Sequence, residues 1–256
     1  MEPGQLLKQP AIQEDPWQSL RAFTGARIAL GRTGAAIPLR EVLQLRMAHA
    51  HARDAVFSKL DVEALQSAFQ SYGLPVYTLH SRAGDRAEYL QRPDKGRQLD
   101  EEAIRLLQTA GEKAADIVIV LADGLSADAV NRHAAPLLQL LLPLFRQSGH
   151  SIGSLCLVQQ GRVAIADEIG SRLQARLSLL LIGERPGLSS PESLGIYLTY
   201  QPRPGLTDEM RNCISNIHAA GLSYTLAAEK INGLVNASLR LRLSGIRLKE
   251  GDHLLL

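Results

Sequence analysis

Two short, almost purely apolar runs constrain this chain more than anything else in it: IVIVLA at residues 117–122 and LSLLLI at residues 177–182. A strand with one wet face alternates apolar and polar residues. A run that is apolar at nearly every position needs cover on both faces, which is the situation of a parallel strand sandwiched between helices. Each run ends abruptly in a polar, glycine-bearing segment, Asp123-Gly124-Leu125-Ser126 and Gly183-Glu184-Arg185-Pro186-Gly187. Helical patterns lie between the runs, so the class is α/β: a mostly parallel sheet with a smaller, mainly helical N-terminal part. In such sheets ligands occupy the crevice beyond the carboxyl ends of the strands, and both polar segments fall there.

The remaining elements follow from local signals. A helix is predicted after Pro38, with Leu39, Leu43 and Met47 as an apolar stripe joined by Val42 and Ala50. Asp61 caps a second helix that Gly73 stops, and residues 74–79 form a short strand. Residues 89–100, YLQRPDKGRQLD, are polar and turn-forming, and they divide a part spanning 1–95 from one spanning 96–256. Asp100 then caps a helix reaching Thr109, and Ser126 can cap the long helix behind DGLS. Strands are expected at 155–158, 162–165 and 195–200, and helices at 167–174 and 223–240. Residues 1–20, with four elements of turn chemistry in Pro3, Gly4, Pro10 and Pro16, read as an extended lead-in.

Composition excludes several classes. The formal net charge is +2 and aromatics are 4% of the chain, which argues against a nucleic-acid platform or a partner that is an acidic membrane surface. No segment approaches the ~20 apolar residues of a bilayer span. Two cysteines, Cys156 and Cys213, are too few for a disulfide framework or a structural zinc site. The first residues lack a basic start and apolar run, so no secretory signal is visible and an intracellular, reducing location is expected.

Each candidate for chemistry has a plain structural alternative. GRTGAA, residues 31–36, lacks the Gly-Lys-Ser/Thr ending of a phosphate loop and follows no buried strand; a glycine-permitted turn explains it better. His49 and His51, two apart on a helix, cannot chelate together, and Asp54 does not change that. Cys213 and His218 in RNCISNIH invite a thiol-nucleophile reading, yet five residues of separation leave them poorly faced on one helix and no orienting acid is evident. Asp123, Gly124 and Ser126 could hold a polar ligand group or simply cap a helix. Glu184 could offer an acceptor to an amide-rich ligand or pair internally with Arg185.

Several long strings then point further: LRMAHAHARDAV, YLQRPDKGRQL, DIVIVLADGLSADAV, QGRVAIADEIG, LLIGERPGLSSPESLGIYLTYQPRPG and RNCISNIH. With them the chain, from about residue 20 onward, resembles the small (light, beta) subunit family of ethanolamine ammonia-lyase. The resemblance implies a two-protein, adenosylcobalamin-dependent enzyme. A large (β/α)₈-barrel subunit holds ethanolamine, and the small subunit, through a Rossmann-like sheet domain at residues 96–256, covers part of the cobalamin. An adenosyl radical then initiates deamination to acetaldehyde and ammonia. By that resemblance the cobalamin contacts fall on Val163, Glu184 and Cys213, with Asp123, Gly124 and Ser126 added from the neighbouring strand-end loop. The chain itself supplies no catalytic residue and no metal ligand. The Asp-x-His-x-x-Gly string that supplies a cobalt-coordinating histidine in other cobalamin domains is absent, so the cofactor is expected base-on. The partners implied are the large subunit and a higher hetero-oligomer. The Pro-rich start lacks the amphipathic helix that targets some members to a proteinaceous microcompartment, which favours the cytoplasm. A self-contained α/β enzyme using Cys213 and His218 and a scaffold that touches no cofactor are the competing readings.

Overall fold

The computed structural model describes residues 12–111 and 114–248. In chain order its main elements are α1 (Leu39–Phe57), α2 (Val62–Phe69), β1 (Val76–His80), α3 (Arg86–Gln91), α4 (Glu101–Thr109), β2 (Ile117–Ala122), α5 (Ala127–Gln147), β3 (Ile152–Gln159), α6 (Ile165–Arg172), β4 (Leu177–Gly183), β5 (Leu194–Tyr200), β6 (Arg211–Ile217) and α7 (Tyr224–Leu241). The six strands form one sheet in the order β1-β3-β2-β4-β5-β6. The first four are parallel; β5 runs antiparallel to β4, and β6 antiparallel to β5.

The two apolar runs lie side by side at the centre, in register from Ile117 opposite Leu177 to Ala122 opposite Ile182. Alternation along β2 explains why nothing in it is polar. Ile117, Ile119 and Leu121 pack with Leu137, Leu141 and Phe145 of α5 and Ile231 and Val235 of α7. Val118, Val120 and Ala122 pack on the other face with Leu107 of α4 and Ile165 and Ile169 of α6. Every β2 side chain is buried, and at about 25 cal/mol per Å² of apolar surface removed from water this two-sided core is the dominant stabilising term.

The local caps form as their sequences require. Asp61 accepts from Ala64 N at 3.0 Å and Asp100 from Ala103 N at 2.7 Å. The strand β1 belongs by sequence to the first 95 residues and by hydrogen bonding to the sheet, where Val76 to His80 pair with Leu155 to Gln159.

Three expectations need correction, and two further segments take a form that the sequence reading left open. Residues 162–165 are not a strand: Arg162, Val163 and Ala164 form the turn that leads into α6, which begins at Ile165. RNCISNI is not helical but the edge strand β6, alternately covered and open. The polar segment 89–100 is not a plain loop, since α3 runs into it and Tyr89 and Leu99 are wholly buried. Ser126 occupies the N-cap position of α5 yet its hydroxyl donates to Pro191 O at 3.0 Å; the amide of Asp128 is met instead by Ser58 Oγ at 3.1 Å. The α1 stripe faces outward, with Leu39 72%, Leu43 53% and Met47 57% exposed, while Ala48 and Ala55 make the buried side. The expected lead-in falls partly on residues 1–11, outside the described residues; beyond it Gln18–Ala22 forms a single 3-10 turn. Among the described residues no helix is long and apolar enough to cross a membrane.

Candidate functional site

After β2 the chain goes to α5 on one face of the sheet, and after β3 it goes to α6 on the other. The divergence opens a crevice at the carboxyl ends of β2, β3 and β4. A cleft of about 300 Å³ lies there, lined among others by Gly124, Val163, Glu184, Arg162, Arg185 and Tyr197. Three of the six predicted residues therefore converge on it from three separate segments. A hollow of about 420 Å³ beside β1 and α4 contains none of them.

Asp123 forms the floor. Its carboxylate accepts from Gln160 N at 2.8 Å and Gly161 N at 3.0 Å, tying the ends of β2 and β3 together, and Arg86 Nη1 lies 3.9 Å away. Burial pushes the Asp123 carboxyl up, against the pull of the Gln160 amide and the Arg86 guanidinium. At 3% exposure it supports the cleft and does not line it. Ser126 is likewise buried and turned to Pro191.

Two glycines make this floor thin. Gly124, at φ +56°, sits directly against the carbonyl of Gly183, and Gly183 sits against the backbone of Ser126 and Asp123. Leu125 N donates to Gly183 O at 2.9 Å across the same contact. The glycines in both strand-end segments therefore serve backbone approach between β2 and β4.

Glu184 sits above them. Its carboxylate accepts from Ser193 Oγ and, at 3.3 Å, from Asn216 N, and it packs over Gly195, where a Cβ would come within 2.9 Å of Oε1. The alternative pairing with Arg185 does not form; Arg185 is exposed at the cleft. Val163 is half-buried, its inner side packed on the α6 side of the core and its outer side on the cleft. Cys213 lies one strand out on β6, opposite Tyr197 of β5, and is exposed. Desolvation holds its thiol above the usual value, and the neighbouring Tyr197 hydroxyl is pushed up to about 12 by burial and by Cys213. Cys213 thus reaches the cleft through Tyr197.

The Cys213–His218 pairing of the competing reading does not form. His218 engages Asn216 Oδ1 at 2.8 Å and the amide of Ala220, with no hydrogen bond to Cys213. Among the described residues no group of three or more His, Cys, Asp or Glu could hold a metal ion. GRTGAA is a turn whose Arg32 pairs with Gln13, and it does not line the cleft.

Sequence reasoning missed one cluster. Tyr89 is buried with Arg86 on one side, 4.6 Å from the ring centroid, and Arg162 on the other at 4.1 Å; its hydroxyl donates to Gly161 O at 3.2 Å. The only signal was an aromatic residue inside an otherwise polar run.

Comparison with known proteins gives the chain's family. The family model described as ethanolamine ammonia-lyase light chain (EutC) matches residues 14–249. A protein of Ralstonia nicotianae named ethanolamine ammonia-lyase small subunit is 53% identical over 245 residues, covering 93% of this chain and 90% of its own length. One of the same name from Azotobacter vinelandii is 54% identical over 246 residues, covering 95% and 91%. One from Pseudomonas paraeruginosa is 51% identical over 243 residues, covering 94% and 89%. With identity of this level along nearly the whole chain, this protein belongs to the ethanolamine ammonia-lyase light chain family and is a subunit of that lyase.

Proposed function

We propose that this chain works with the lyase's large subunit to hold adenosylcobalamin for the radical deamination of ethanolamine to acetaldehyde and ammonia. The carrying observation is the convergence of Gly124, Val163 and Glu184, from three segments, on one cleft at the sheet's carboxyl ends. Its volume is at the lower end for small-molecule pockets, so it suits one edge or the tail of a corrinoid, with the rest covered by the partner. Val163 offers apolar contact, Glu184 an acceptor for an amide or hydroxyl, and the edge at Cys213 a neutral packing group. When bound, adenosylcobalamin supplies the radical that starts hydrogen abstraction, and this chain's share is binding, orientation and exclusion of water. The cofactor is read as base-on, with no cobalt ligand from this chain, on the sequence argument of the absent Asp-x-His-x-x-Gly string.

The exposed apolar residues fit a chain that functions in a complex. Trp17, Phe23, Leu39, Leu43, Met47 and Phe57 are each more than half exposed on the N-terminal part. Single exposed apolar residues are ordinary, but such a concentration marks a contact surface.

Acetaldehyde release from ethanolamine with adenosylcobalamin should require this chain and the large subunit together. Activity in this chain alone would overturn the subunit assignment of roles. Glu184→Ala in the complex should lower cobalamin affinity; unchanged affinity would favour a scaffold that touches no cofactor. A histidine-nitrogen signature on cobalt in the paramagnetic spectrum would refute the base-on state.

A further inference from the structure

We propose that Arg162, assisted by Arg185, binds a phosphodiester, namely the singly charged phosphate in the nucleotide tail of the corrinoid. This rests on the cobalamin reading above and assigns that cleft a specific subsite.

The argument starts from charge. Arg86, Arg172 and Arg211 are at least half-buried and each faces a carboxylate, Asp123, Glu168 and Asp167 respectively. Arg162 is half-buried, like Arg86, and has no carboxylate within ion-pair distance among the described residues. Buried charges are ordinarily paired, and no counter-charge for Arg162 stands among the described residues. The side chain is nevertheless fixed. Its face stacks on Tyr89, and Nη2 donates to Tyr89 O at 3.1 Å. Its Nε is sealed from solvent without a partner, so the guanidinium is only partly satisfied by the protein. What remains faces the cleft that Arg162 lines.

Arg185 stands at the same cleft, exposed and without an ion-pair partner among the described residues. The one acid lining the cleft, Glu184, is engaged by Ser193 and Asn216. Two guanidinium groups and one carboxylate leave the lining one positive charge in excess, which matches a monoanion. Planar guanidinium groups suit phosphate oxygens in particular, by paired charge-assisted hydrogen bonds. A neutral corrin amide would leave Arg162 uncompensated.

The test uses the complex with the large subunit and compares cobalamin with cobinamide, a corrinoid lacking the phosphate, ribose and benzimidazole. Binding is followed by the corrin absorbance, without turnover. Arg162→Met and Arg185→Gln should each weaken cobalamin about tenfold and leave cobinamide unchanged. Cobalamin affinity that does not move, or an equal loss for both corrinoids, overturns the proposal. If Arg162→Met does not assemble because it also loses the Tyr89 stack, Arg185→Gln decides alone. If wild type does not take up cobinamide, Arg185→Lys serves as the control: restored cobalamin affinity supports the charge assignment, and continued loss overturns it. A wild-type complex that binds neither corrinoid would refute the cofactor reading itself, a separate result from loss of the phosphate contact.

Discussion

Replacing Gly183 by alanine is the most incisive test of how the cleft floor is built. The backbone of Gly183 is not left-handed, so alanine meets no intrinsic conformational penalty there. The obstacle is space: the new Cβ would overlap the carbonyl of Ser126 and lie 2.7 Å from that of Asp123. Both are backbone atoms that cannot rotate away. Ordinary carbon contacts need roughly 3.5 Å or more, so the end of β4 must separate from the β2 segment by roughly an ångström. That movement breaks the 2.9 Å bond from Leu125 N to Gly183 O. An orphaned amide costs about 1–3 kcal/mol and local overpacking a further 1–3 kcal/mol, giving a loss of about 2–6 kcal/mol. Gly149→Ala is the informative control. Gly149 has φ +77° but nothing within 4 Å of its added Cβ, so it should lose only about 1–2 kcal/mol. Urea unfolding of both variants, at fixed protein concentration and with the slopes compared, reads the difference. The reasoning fails if Gly183→Ala is no more destabilising than Gly149→Ala.

Three further outcomes are expected. Asp167→Ala should destabilise by up to about 3–5 kcal/mol because it removes the buried partner of Arg211, 2% exposed at its side chain, and leaves it only the exposed Asp208, whereas Asp167→Leu with Arg211→Met should recover most of the loss in the same unfolding assay. Asp116 is held below the ordinary carboxylate range: desolvation raises it, but the amide and hydroxyl of Ser151 and the Arg176 guanidinium together outweigh that. Its folded value lies below the unfolded one, so its stabilisation is present above about pH 3.9 and is lost as pH falls through the folded value; the stability gap to Asp116→Asn should shrink over that acid limb. Desolvation raises the Cys213 thiol, so alkylation at neutral pH should be slower than for a free cysteine and accelerate with pH, while fast labelling at pH 7 would revive a nucleophilic role.

What the sequence reveals and what it hides divide along a physical line. β2 and β4 are legible because cover on both faces removes polar residues from consecutive positions, and that information is local. Asp61 and Asp100 are legible as caps for the same reason, since each bonds an amide three residues on. The edge strand β6 is not: with one side open it keeps Asn212, Ser215 and Asn216, and what makes it a strand is Tyr197 and its neighbours on β5. The crevice rule brings Gly124, Val163 and Glu184 to one place once the strand ends are known. It cannot find the Arg86–Tyr89–Arg162 stack, which exists only because residues 81–100 fold over the end of β3. The outward stripe of α1 is the converse case. Its periodicity is plain, and what covers it is not written in this chain.

The strand order carries a consequence for biosynthesis. β3 lies between β1 and β2, so neither of the first two strands made has its neighbour until β3 emerges. Val76 waits for Leu155, and at bacterial-scale elongation rates of roughly 5–20 residues per second that interval is on the order of ten seconds. Throughout it IVIVLA is a finished, wholly apolar segment with no pairing edge beside it. Nascent chains of this subunit should therefore depend on holding factors until about residue 160 is made, and a ribosome stall before β3 should be far more damaging than one after β4.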